Sequence, residues 1–317
     1  MRNYHKFVVA IFLLTASFMS QAGGDENKII YLISPSRSLS VAFTRVFNEL
    51  PGITIFNEPS QFAYTRQNLH LLGKFASLDA LETVFKKESP QNFQEVKSRL
   101  FAAQKNGTVF AKEISYAVND FLKADLEFVA NRSVRFVFLV RNPHHAAVSF
   151  YKKTSDERLG NWDFWSLHWS DWLGYQATLG LFTLVKDHAV HRPIIILAED
   201  LYNLPEETIS QLCQQLGIKF QPQALQFSPV DLETLSMKWH ELKHSDHSLV
   251  WHQKGMESMS IQVPEQYEVD GQNNPTFSEV REEHQEFVRK AYEENLTFYQ
   301  EVLKFLDYVQ QPFVGPR

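Results

Sequence analysis

The sequence predicts an α/β fold in which a parallel sheet is flanked by helices on both faces. Three observations carry this. Short apolar runs rich in β-branched and aromatic residues, at 29–33, 53–56, 108–111, 134–140 and 194–197, lack polar alternation, as strands buried on both faces require. Segments of helical period lie between them, and strand–helix alternation of this kind builds a parallel sheet through crossover connections. Finally, ligands in such sheets bind beyond the carboxyl ends of the strands, and the chemically versatile Arg37, Glu58, Lys112 and Arg141 all fall there.

Taken in order, residues 1–22 read as a secretory signal peptide or a short membrane anchor. Arg2 and Lys6 precede an apolar run, and Ser20-Gln21-Ala22 offers a small-residue cleavage site. The run is short for a membrane span, so export is the expectation, with retention by an uncleaved anchor as the alternative. Residues 23–317 then form one domain, with no repeat and no linker long enough to divide it. The 26 phenylalanines give it ample core, and a net charge of −6 makes nucleic acid a poor partner. Cys213 is the only cysteine, which excludes an intrachain disulfide, and it sits in an apolar helical pattern.

The first strand ends at Ser34-Pro35-Ser36-Arg37-Ser38, where proline forces Ser34 out of helical geometry. From Ser38 to Leu50 the apolar residues recur at helical spacing, until Pro51-Gly52 stops them. A serine of the loop is expected to cap that helix. Strand, tight hydroxyl-rich loop and helix form an anion cradle: loop amides and the open first turn point at one spot, and the helix dipole favours negative charge there. Arg37 adds a planar fork of donors suited to phosphate or sulfate oxygens, and Ser36, Ser38 and Ser40 add hydroxyls. The nucleotide-triphosphatase loop ends in Gly-Lys-Ser/Thr; that pair is missing here, which argues against a magnesium–triphosphate site.

Further strand ends follow. The second strand runs into Asn57-Glu58-Pro59-Ser60, the third into Lys112-Glu113, and the fourth into Arg141-Asn142-Pro143. Helices are expected at 78–85, 93–103 and 114–129. Pro143 can open a helix, placing Ser149 about two turns along it and within reach of the oxyanion Arg141 would bind. The fifth strand leads through Glu199-Asp200 to a helix at 206–216 entered through Pro205, and 279–309 reads as one long amphipathic helix.

These residues resemble a family. SPSRSLSVAF resembles the 5′-phosphosulfate loop of the sulfotransferases that use 3′-phosphoadenosine 5′-phosphosulfate (PAPS), and Arg141 through Tyr151, with Ser149 eight residues after the arginine, resembles their 3′-phosphate motif. IIILAEDLYNLPEETISQLCQQLG is similar to the family's later strand and helix. The likeness runs from about Lys28 to Phe220. It implies a P-loop nucleotide-transferase-like fold, with Arg37, Ser38, Leu39 and Ser40 on the 5′-phosphosulfate, Arg141 and Ser149 on the 3′-phosphate, and Lys254 in a late Lys-Gly loop over the nucleotide. Two departures stand out: Leu39 occupies a position where many members have glycine, and Val41 one where many have a hydroxyl residue.

The implied reaction moves a sulfuryl group to a hydroxyl or amine acceptor, with PAPS as donor, adenosine 3′,5′-bisphosphate as product and no metal required. Glu58 is the candidate general base, with Glu113 in reserve, and Lys112 would stabilise developing negative charge. The histidine that other branches carry after the third strand has no counterpart. Glu199 and Asp200 are expected to orient neighbours. Trp162, Trp165, Trp169 and Trp172 share a helix face that suits packing more than an acceptor platform. His240, His244, His247 and His252 lack the cysteines or motif of a zinc site. Two alternatives remain: a non-catalytic phosphoadenosine-binding interaction protein, and a kinase-like nucleotide transferase.

Overall fold

The computed structural model describes residues 27–68, 85–156, 162, 166–262 and 275–306. The expected leader at 1–22, nearly all of the helix expected at 78–85, and Trp165 lie outside the described residues. Strand β1 (Ile29–Ser34) passes through the loop at 35–39 into α1 (Ser40–Asn48), and β2 (Ile53–Asn57) into α2 (Gln61–Gln67). Helix α3 (Phe93–Gln104) precedes β3 (Thr108–Ile114), which is followed by α4 (Ser115–Ala124) and the short α5 (Leu126–Val129). Then come β4 (Val134–Val140), α6 (Pro143–Thr154), α7 (Trp169–Leu173) and α8 (Tyr175–His188). The chain continues through β5 (Ile194–Leu197), α9 (Ala198–Asn203), α10 (Pro205–Leu216), α11 (Leu232–Lys238), β6 (Trp239–His240), α12 (Asp246–Glu257) and α13 (Glu282–Lys304).

The sheet has six strands in the order β5-β4-β1-β3-β2-β6, and every pairing is parallel. The expected α/β architecture is the one observed. Strand β1 sits among the central strands and is buried at all six positions, which is why its sequence is uniformly apolar. Side-chain alternation divides the core in two. Tyr31, Ile33, Val109, Ala111 and Phe136 pack on one face with α3, α4, α6, α8 and α13. Ile30, Leu32, Phe110 and Val137 pack on the other with α1, α9 and α10. Aromatic rings fill both layers: Tyr31 meets Phe128 and Phe136 edge-on at 5.3 and 5.7 Å, and Phe47 stacks on Phe110 at 4.3 Å.

Several boundaries differ from the sequence expectation. The single helix expected at 114–129 is broken at Asp125, whose side chain caps α5 by accepting from the Phe128 amide at 3.0 Å. Helix α1 begins at Ser40 instead of Ser38, and no serine caps it. Strand β6 has only two residues, too few to leave a periodic signal. Trp169 and Trp172 are buried in the core, and Trp162 packs against Tyr151, Trp169, His284 and Phe287, which favours the packing reading of that aromatic stripe. Cys213 is buried, and burial pushes its thiol up to about 11. Among the described residues, no helix is long and apolar enough to cross a membrane.

Candidate active site

The tips of β1, β2, β3 and β4 lie side by side at the carboxyl edge of the sheet. In register, Asn57 of β2 stands beside Lys112 of β3, and Leu32 of β1 beside Lys112 and Val137. The residues that follow these positions must therefore converge, although Arg37 and Arg141 are 104 residues apart in sequence and Glu58 and Lys112 are 54 apart.

The loop after β1 is held from behind. The Ser36 hydroxyl donates to the Trp172 carbonyl at 2.6 Å and the Ser36 amide to the Leu173 carbonyl at 2.9 Å, while the Ser38 hydroxyl turns back to the Pro35 carbonyl at 2.9 Å. Ser36 and Ser38 are thus committed to loop structure, and Ser38 is unavailable as the expected cap. Arg37 and Leu39 adopt positive φ, 63° and 66°. This is the left-handed region that glycine enters freely and other residues enter at a cost of about 1–2 kcal/mol. It explains why glycine would suit position 39. The amides of the first turn of α1, from Ser40 onward, lack intrahelical acceptors and open toward the loop.

Arg37 and Arg141 meet. Arg141 Nη1 donates to the Arg37 carbonyl at 2.9 Å, and Arg37 Nε donates to Ser149 Oγ at 3.1 Å. The two phosphate pockets expected from sequence are therefore one connected cluster, with Ser149 bonded to Arg37 and not to Arg141. Arg141 is only 3 % exposed, and its buried Nε has no hydrogen-bond partner among the described residues; the same holds for Ser34 Oγ. Around them the polypeptide is fixed locally. Asn142 caps α6 by accepting from the His144 amide at 3.0 Å, and its own amide donates to Glu199 Oε1 at 3.0 Å. Glu199 therefore orients this turn, as expected.

Glu58 follows β2 at φ 52°, and its amide donates to the Lys112 carbonyl at 2.6 Å. Its carboxylate forms an ion pair with the Lys112 ammonium, which is 2 % exposed. Burial alone would raise the Glu58 carboxyl, but the charge and hydrogen bond of Lys112 outweigh it and hold the group below the usual carboxylate range. Three of the four non-glycine residues with positive φ among the described residues (Arg37, Leu39 and Glu58) lie at this edge, the pattern of strain held at functional sites.

Strand alternation turns Glu113 to the opposite face from Lys112. There Glu113 Oε1 accepts from the Ser60 hydroxyl at 2.6 Å and from Tyr31 at 3.1 Å. Glu113 is fully buried, and burial pushes its carboxyl up to about 8.

The expected Lys-Gly loop at Lys254 is not a loop. Gln253, Lys254 and Gly255 lie in the last turns of α12, and Lys254 is exposed. A Cβ on Gly255 would stand 2.5 Å from Val41 Cγ1, so only glycine lets α12 approach α1 this closely. Arg45, 3 % exposed, clasps the end of α12 from below: it donates to the carbonyls of Gly255 at 2.8 Å, Met256 at 3.0 Å and Ser258 at 3.0 Å, and also to that of Ser228.

Docked this way, α12 brings in residues that sequence reasoning missed. The Trp251 carbonyl accepts from Arg37 Nη1 at 3.4 Å, and the Arg37 guanidinium lies 5.8 Å from the Trp251 ring centre. His252, 7 % exposed, donates from Nδ1 to the Ser248 carbonyl at 2.8 Å. The only sequence signal was the histidine cluster at 240–252, read there solely as a possible metal set.

No protein-family model and no curated protein matches the chain. Among solved structures, it is similar to the sulfotransferase domain from the curacin biosynthetic pathway, at 18% identity and a TM-score of 0.45, covering 86% of this chain and 98% of that one. It is similar to the sulfotransferase domain of the Synechococcus PCC 7002 olefin synthase at 16% identity and TM-score 0.45, over 86% and 96% of the two chains. It is also similar to mouse sulfotransferase SULT7A1 complexed with PAP, at 12% identity and TM-score 0.40, over 90% and 84%.

Proposed function

We propose that the protein is a PAPS-dependent sulfotransferase acting on a hydroxyl or amine acceptor. The observation that carries this reading is the convergence of Arg141, Arg37 and Ser149 in one hydrogen-bonded chain beside the Glu58–Lys112 pair. The residues fit a doubly phosphorylated adenosine: two guanidinium groups, an open helix N-terminus and a buried Arg141 Nε without a partner among the described residues suit anionic oxygens.

In this reading Arg37, Ser40 and the amides of Ser38, Leu39 and Ser40 hold the 5′-phosphosulfate, and Arg141 with Ser149 holds the 3′-phosphate. The donor supplies an activated sulfuryl group. Glu58 accepts the proton of the acceptor O–H or N–H as that atom bonds to sulfur. The bond between sulfur and the bridging oxygen breaks, and that oxygen leaves as the 5′-phosphate of adenosine 3′,5′-bisphosphate. Lys112, released in part from Glu58, offers its ammonium to the charge growing on the bridging oxygen. Positioning and electrostatics contribute most of the effect, as in phosphoryl transfer. The low-lying Glu58 carboxyl is ionised at neutral pH and so ready to accept a proton. Export through residues 1–22 would place this chemistry where the donor has to be delivered.

The test has two parts. Calorimetry and thermal shift with adenosine 3′,5′-bisphosphate, ATP and divalent cations should show a response to the bisphosphate without metal; a response to ATP with magnesium alone would select the kinase-like reading. Sulfate transfer from PAPS, screened over phenols, sugars and peptide tyrosines, should fall roughly 100- to 10,000-fold in Glu58→Gln while bisphosphate affinity persists. Undiminished transfer would remove Glu58 from the role, and bisphosphate binding without transfer to any acceptor would select the interaction protein.

A further inference from the structure

Helix α12 carries a buried imidazole, His252, beside the cluster at the sheet edge. Arg37, from the loop after β1, reaches the backbone of α12 at the Trp251 carbonyl, one residue before His252. The charges that act on the His252 ring are those of Glu58 after β2, Lys112 at the tip of β3 and Arg37, the first two joined in an ion pair and the third bonded to the neighbouring residue's carbonyl. His247, on the same helix, also feels Glu58. A backbone carbonyl can only accept, so the 2.8 Å contact to Ser248 fixes the proton on Nδ1 and leaves Nε2 as the site that can gain one.

Resting on the sulfotransferase reading, we propose that His252 belongs to the donor-binding machinery: its imidazole takes up a proton when the donor binds, and the imidazolium joins Arg37 and Lys112 around the phosphosulfate.

The charge balance at the site argues for this. In the free protein, burial holds the imidazole neutral, at about 4, because the opposing pull of Glu58 is offset by Lys112 and Arg37. An anion seated on Arg37 and Lys112 cancels those two cations and adds negative charge of its own, while Glu58 still faces the ring. Every change acts in the same direction, toward the protonated form. Because the ring gains a proton on binding, affinity must strengthen as pH falls through the window in which the complex titrates, by up to about tenfold per pH unit.

The experiment is isothermal titration of adenosine 3′,5′-bisphosphate into the full-length protein between pH 5.5 and 8, in buffers of differing ionisation enthalpy, for the wild type, His252→Gln and His252→Asn. The bisphosphate's own ionisation contributes equally to all three. The wild type should take up a larger fraction of a proton than either variant and gain several-fold in relative affinity toward acid pH. Ring NMR shifts of histidine-labelled wild type give the same readout without a variant, should both substitutions unfold the chain; one buried histidine should become protonated on binding near neutral pH. Bisphosphate binding with equal proton uptake in wild type and variants, or with no histidine changing charge, would overturn the role of His252 and leave the donor reading intact. No bisphosphate binding by the wild type would overturn both.

Discussion

Replacing Glu113 by glutamine should remove a pH dependence that this one side chain imposes on stability. Glu113 is fully buried, and burial pushes its carboxyl up to about 8 even though Ser60 and Tyr31 donate to it. In the unfolded chain the same group titrates near about 4.3. Between these values the folded protein holds a proton that the unfolded chain has released. Unfolding therefore loses a proton, and stability falls as pH rises, by at most about 1.4 kcal/mol per unit, with no further loss above about pH 8. Over the whole window this amounts to something on the order of 3–5 kcal/mol. Glutamine keeps a carbonyl that can accept from Ser60 and Tyr31 and cannot titrate. Urea denaturation of wild type and Glu113→Gln at pH 5, 6, 7 and 8 reads the difference directly, and common contributions from other groups cancel. The wild type should lose stability relative to the variant across this range. A flat difference, within about 0.5 kcal/mol, or one rising with pH would refute a protonated Glu113. Glu58 does not confuse the measurement: its lowered carboxyl contributes stability that is lost only as pH falls below the usual carboxylate range.

Two further outcomes follow from packing. Arg45→Met removes a buried guanidinium from three carbonyls at the end of α12 and from that of Ser228, and should cost about 1–3 kcal/mol, with faster amide exchange concentrated in residues 246–257; exchange unchanged there would mean that Arg45 does not hold the helix. Gly174→Ala places a Cβ 2.5 Å from Ser115 Oγ on a backbone at φ 86°, and should lower stability by about 1–3 kcal/mol in thermal unfolding; an unchanged midpoint would show that the turn between α7 and α8 relaxes freely.

The parallel sheet was legible because its strands are uniformly apolar and its helices are periodic; both are local properties. Arg37, Glu58, Lys112 and Arg141 were legible because each sits where an apolar run stops. Strand β6 was not, since two residues carry no period, and the place of α1's first residue depended on Ser38 bonding to Pro35 instead of capping. The partners of Glu113, Ser60 and Tyr31, were not legible, because adjacency in sequence hides the fact that neighbours on a strand face opposite ways. His252 and Arg45 were beyond local reading for a different reason: their roles exist only once α12 has docked on α1, across a sequence separation of 211 residues between Arg45 and Met256.

That docking changes the meaning of Val41. Against the sulfotransferase pattern that the sequence resembles, Val41 stands where many members have a hydroxyl residue. In three dimensions it is the surface against which Gly255 packs, so closely that a Cβ on the glycine would overlap Val41 Cγ1. A more distant α12 would leave the Trp251 carbonyl out of reach of Arg37 and carry His252 away from Glu58 and Lys112. The close approach of the helix therefore depends on glycine at 255, and Val41 is the side chain it packs against. Enlarging position 255 should therefore loosen this end of α12: Gly255→Ala should weaken the hold of Arg45 on the helix and speed amide exchange in residues 246–257, and unchanged exchange would show that the contact with Val41 relaxes freely.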